Sequence, residues 1–135
     1  MPTSYELHLF RPKPSALAAG SPRPPTAQRK ELATLDQRAI GDFLLSLGPA
    51  IRFGGQTDLG EQYLYEDKQG YAMEIMASEK QVAIGYPSWY RGEQAEQMRR
   101  IAFGIALALV ARFGLTLYDP QRARFVRASR THAQQ

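Results

Sequence analysis

A chain of 135 residues, 44% of them apolar and 22% charged, makes one ordinary domain with room for a single core. The absence of cysteine excludes a disulfide framework, thiolate metal ligands and a cysteine nucleophile, and it fits a reducing compartment. The net charge of +4 is unevenly placed: Asp58, Glu61, Glu66, Asp67, Glu74 and Glu79 stand against Lys68 alone in residues 55–79, whereas Arg122, Arg124, Arg127, Arg130 and His132 follow Asp119 without an acid.

Tyr5–Phe10 alternates Tyr5, Leu7 and Leu9 with Glu6, His8 and Phe10, the pattern of a strand with one apolar and one mixed face. Residues 11–25 contain Pro12, Pro14, Pro22, Pro24 and Pro25, and are expected to form an irregular, mobile loop. A helix is predicted from Thr26 to about Leu47 on the spacing of Leu32, Leu35, Ala39, Ile40, Phe43, Leu44 and Leu47, with Gly48-Pro49 stopping it. A break near Asp36–Gly41, with Asp36 capping the second piece, is the alternative.

The middle of the chain reads as β-structure. Ile51–Phe53 is a short candidate, and Gly54–Gly60 reads as a loop. Gln62–Glu66, Tyr71–Ala77 and Gln81–Tyr86 alternate in phase and are separated by short turns, as in an antiparallel meander. A second helix follows, with Glu93 and Glu96 favourable in its first turns and Gly114 ending it. Ile101, Ile105, Leu109 and Phe113 are expected to be its buried stripe. The uncharged run Ile101–Ala111 is too short for a bilayer, which needs about 20 apolar residues. Leu115–Tyr118 is a last strand, Asp119-Pro120-Gln121 a turn, and Ala123–Val126 a possible short edge strand.

The expected fold is therefore α+β: a mainly antiparallel sheet of about five strands with two helices on one face, in the order β-α-β-β-β-α-β. One domain over residues 1–127 is followed by a disordered basic tail, 128–135. The opening residues lack a basic stretch followed by a long apolar one, so no signal peptide is read and a cytoplasmic location is expected.

No motif assigns a chemistry. His8 and His132 have no partner at ligand spacing, so no metal is expected. No P-loop or dinucleotide fingerprint accompanies the glycines, and no cofactor is expected. The modest charge, with no groove-reading or base-stacking module, argues against nucleic acid. The acids bordering the strands could supply a general acid–base pair, but such residues are usually solvated. The best functional hint is the aromatic junction at Trp89, Tyr90 and Arg91, residue types that anchor protein interfaces, although a tryptophan there can equally cap the core.

Three segments, SYELHLFRP (4–12), YPSWYRGEQAEQ (86–97) and GLTLYDPQ (114–121), resemble a group of small bacterial proteins of uncharacterised function. In that group a Y-[ED]-L-x-[LVF] start and a helix followed by Y-D-P-Q recur, and some members resemble immunity proteins that block secreted toxins. The resemblance implies an immunity protein and transfers no site residues; with no cofactor or catalytic pattern in the chain, a non-enzymatic module, monomeric or homodimeric, that neutralises a partner protein by covering it is expected. On residue type and placement at element boundaries, Trp89, Tyr90 and Arg91, with Asp58 and Glu61 nearby, are the candidate partner-binding surface. The competing reading is a small-molecule-binding protein or enzyme with a pocket between sheet and helices.

Overall fold

The computed structural model describes residues 4–13 and 32–126. The strands are β1 (Ser4–Phe10), β2 (Ile51–Thr57), β3 (Gly60–Glu66), β4 (Ala72–Ala77), β5 (Val82–Pro87), β6 (Thr116–Asp119) and β7 (Arg124–Val126). The helices are α1 (Gln37–Ser46), between β1 and β2, and α2 (Glu93–Phe113), between β5 and β6. All seven strands form one antiparallel sheet in the order β2-β3-β4-β5-β1-β6-β7.

The fold class is as expected, but the sheet has seven strands rather than about five, and the element order is correspondingly longer. Residues 54–57 were expected in a loop and instead continue β2 along the sheet edge. They pair with β3 across a bulge between Phe53 and Gly55, where Gly55 has φ 142°. Tertiary pairing here overrides the weak strand preference of glycine. Arg124–Val126, within the short edge strand read at Ala123–Val126, forms the opposite edge.

The predicted helix from Thr26 to Leu47 is also corrected. Residues 26–31 lie outside the described part, Leu32–Asp36 is not helical, and α1 begins at Gln37. Leu32 bridges to Pro12, and the Leu35 amide donates to the Glu79 carbonyl at 2.8 Å, so this stretch satisfies its backbone groups on neighbours rather than on itself. Asp36 then caps α1 by accepting from the Ala39 amide at 3.1 Å. Pro12 is buried, so the start of the proline-rich segment is anchored; residues 14–25 and the tail from 127 onward lie outside the described part.

Both helices pack on one face of the sheet. Leu7, Leu9, Ile75, Val82, Ile84 and Leu117 project from the sheet onto Ile40 and Leu44 of α1 and Met98, Ala102, Ala106 and Leu109 of α2. Phe43 and Phe113 join the helices edge to face, with ring centroids 5.6 Å apart. The stripe expected on α2 holds for Ile105 and Leu109, but Ile101 and Phe113 are only half-buried. Successive steps of four residues drift by about 40° on an α-helix. The mixed steps of three and four through Met98, Ala102, Ile105, Ala106 and Leu109 keep to the core. Gly114, at φ 66°, ends the helix by donating to the Val110 carbonyl.

Candidate functional site: the uncovered face of the sheet

Strand alternation sends the side chains between the core residues to the other face, which no described helix covers. Two cross-strand rows cross it. One runs Arg52, Leu64, Glu74, Gly85, Glu6; the other runs Gln62, Met76, Ala83, His8, Tyr118, Phe125. At the β7 end the face is closed by aromatic contacts: Tyr118 packs on Phe125 at 5.0 Å, and Phe125 meets the buried Phe10 edge-on at 6.2 Å.

Between β1 and β4 the face sinks into a trough of about 350 Å³, floored by Ala83 and Gly85. Glu6 and His8 form one wall, Glu74 and Met76 the other, and Asp58 with Leu59 of the β2–β3 turn stand at its end. Glu6 Oε1 and His8 Nε2 are 2.9 Å apart, and Gln62 Nε2 donates to Glu74 Oε2 at 2.7 Å. His8 is only 8% exposed. At Gly85 and Glu74 the trough opens into a more apolar groove of about 450 Å³, bordered by Arg52, Leu64, Ala72, Pro87 and Trp89.

Trp89 is 65% exposed at the rim of this groove, and Asp58 lies beside the trough, so two of the residues singled out from the sequence share this face. The other three do not project onto it. Glu61 belongs to the helix-side row and accepts from the Tyr63 hydroxyl at 3.2 Å. Tyr90 packs against Tyr71 with the rings tilted and their centroids 5.4 Å apart, and its hydroxyl donates to the Gly70 carbonyl at 3.3 Å. Arg91 turns back onto the carbonyls of Ser88 and Tyr90 at 3.0 and 3.1 Å, which fastens the β5–α2 junction. Glu6 and Gly85 are not singled out by the sequence, Glu74 is read there only among the strand-bordering acids, and His8 only as a histidine without a ligand partner. The mixed face of the first strand, with Glu6 and His8 two residues apart, was the available signal.

Perturbed acids and phenols lie around the trough rather than in it. Burial, then the neighbouring Glu61 carboxylate, pushes the Tyr63 phenol up to about 12. Burial and the 2.7 Å hydrogen bond to Asp67 push Tyr65 up to about 12. Burial would raise the Asp67 carboxyl, but hydrogen bonds from Tyr65 and from the amides of Tyr71 and Gln69 outweigh it and hold the group below its ordinary value. These pairs brace a strand and a turn. No group of three metal-ligating side chains occurs among the described residues, and no described helix is long and apolar enough to cross a membrane.

Comparison with family models, with curated proteins and with solved structures finds no match for the chain.

Proposed function

We propose that the chain is a non-catalytic protein-binding module whose partner sits on the uncovered face of the sheet. The observation that supports this reading is Trp89, a large aromatic left 65% exposed beside a groove on a sheet face without a described helix. Exposed aromatics of this kind are the usual anchors of protein interfaces, and an uncovered apolar groove is the usual place for them. Neutralisation of a bacterial toxin is the form of binding that the sequence resemblance implies, and it fits a module that works by covering a surface.

The test starts from partner capture with the intact protein, followed by calorimetric titration of the purified partner. Trp89→Ala is expected to weaken binding about 30-fold, equivalent to about 2 kcal/mol, with unchanged circular dichroism. Binding at full strength in the folded variant would remove this face from consideration. Turnover of a small molecule by the purified protein would defeat the non-catalytic reading as a whole.

The trough supports a second reading, a small-molecule site, because it is a concave pocket with convergent polar groups. Its position differs from the pocket between sheet and helices expected from the sequence, since that interior is filled by the core side chains.

A further inference from the structure

Gly85 has no structural task in its own fold. Gly41 leaves space for the Tyr63 hydroxyl, and Gly60, at φ 148°, lies against the Ala77 carbonyl. Gly85 has no positive φ, and a Cβ added to it would meet nothing nearer than the Tyr5 carbonyl oxygen at 4.0 Å. A glycine inside a strand weakens it, and commonly marks a place where a ligand approaches the backbone. Gly85 stands in the middle of β5, directly between Glu6 of β1 and Glu74 of β4. With neighbouring strands about 4.8 Å apart, the two glutamate Cα atoms are separated by roughly 10 Å across a bare floor.

The carboxylates that line this trough are unopposed by a basic side chain of the described residues other than His8. Glu6, Glu74 and Asp58 supply carboxylates, and no described lysine or arginine lines it, in a chain whose net charge is +4. His8 Nε2 meets the Glu6 carboxylate at 2.9 Å, which leaves Nδ1 of the same ring to be accounted for. That atom and Gln81 Oε1 are both buried without a hydrogen-bond partner. Buried polar atoms are rarely left so, and the carboxylates that line the trough take donors.

We propose that the trough receives the guanidinium group of an arginine on the partner protein, lying over Gly85 between Glu6 and Glu74. The guanidinium is planar, permanently charged and carries five N–H donors in a fixed fork, which suits two carboxylates facing each other across a flat floor. A compact ammonium satisfies that arrangement less well. The rest of the partner continues along the groove toward Trp89. This inference rests on the protein-binding reading of the uncovered face and names the chemistry that the face selects.

The experiment titrates the isotope-labelled protein with the blocked tripeptides Ala-Arg-Ala, Ala-Lys-Ala, Ala-Ala-Ala and Ala-Glu-Ala, following backbone amide resonances. Ala-Arg-Ala is expected to shift Gly85, Glu6 and Glu74 with a Kd of about 1 mM, Ala-Lys-Ala to bind at least about threefold more weakly, and the other two not to bind. Gly85→Val fills the floor and is expected to abolish the shifts with unchanged circular dichroism. The Glu6→Gln, Glu74→Gln double variant is expected to weaken binding at least about tenfold, and it keeps the test decisive if Gly85→Val fails to fold. Equal binding of Ala-Ala-Ala or Ala-Lys-Ala, or wild-type affinity in either folded variant, would overturn the proposal. A captured partner that depends on Trp89 but binds Gly85→Val at full strength overturns the arginine site alone. The peptide titration needs no partner, so it judges the trough even where the Trp89 test fails.

Discussion

The side chain of Gln121 completes the backbone hydrogen bonding of Glu6. The Glu6 amide donates to Gln121 Oε1 at 2.7 Å, and Gln121 Nε2 donates to the Glu6 carbonyl at 2.7 Å. The β1–β6 register pairs His8 with Tyr118, which sets Glu6 opposite Pro120, a residue without an amide proton. The carboxamide replaces the missing peptide group. Buried Asp119 holds it there, accepting from Nε2 at 2.6 Å and from the Gln121 amide at 3.1 Å. The Tyr-Asp-Pro-Gln turn thus fixes the strand segment that presents Glu6 to the trough.

Gln121→Ala should therefore lower stability by about 1–2 kcal/mol, the net value of two hydrogen bonds at a partly solvated site. Denaturant unfolding measures this, and amide exchange at Glu6 should accelerate. Unchanged protection at Glu6 would show that the contact does not hold the strand.

The two glycines within the helices should respond oppositely to alanine. Gly104 is exposed on α2 with nothing near its missing side chain, so Gly104→Ala should stabilise by up to about 1 kcal/mol. A Cβ at Gly41 would overlap the hydroxyl of the buried Tyr63, so Gly41→Ala should destabilise despite its better helix propensity. Adding Tyr63→Phe should recover part of that loss. Thermal melts of the three variants provide the comparison.

Leu109→Ala and Ile105→Ala remove buried side chains from the face of α2 that meets the sheet, and each should cost about 2–5 kcal/mol. Ile101→Ala should cost less, because Ile101 is only half-buried. Equal losses at all three positions in chemical unfolding would contradict the observed helix orientation.

Asp67 and Tyr65 predict opposite ends of a stability profile. The Asp67 carboxyl is held below its unfolded value of about 3.9, so its contribution is present above that pH and is lost as pH falls through the lower folded value. The Tyr65 phenol is raised to about 12 by burial and by Asp67, so its contribution is complete below about pH 10 and is lost as pH rises through 12. Asp67→Asn should flatten the acid limb and Tyr65→Phe the alkaline limb of unfolding free energy against pH. Superimposable profiles for the wild type and both variants would remove the pair as a source of pH dependence.

The chain's own pattern determined the elements whose signals are local. Alternation along Tyr5–Phe10 and Tyr71–Ala77 marks strands, Asp36 and Gly114 bound helices, and no cysteine is present for thiolate chemistry. Each signal rests on neighbours two to four residues apart, where periodicity and capping are decided. Tertiary pairing decided the rest. It drew Gly54-Gly55 into an edge strand and set Leu32–Asp36 along its neighbours instead of in a helix. The placement of Glu6, Gly85 and Glu74 in one row depends on the register of three strands spread over more than eighty residues of chain. The pairing of β3 with β4 turned Glu61 toward the helices, and the β2–β3 turn set Asp58 at the end of the trough. A shift of one residue exchanges the two faces of a strand, so which side chains share the uncovered face is a property of the assembled sheet.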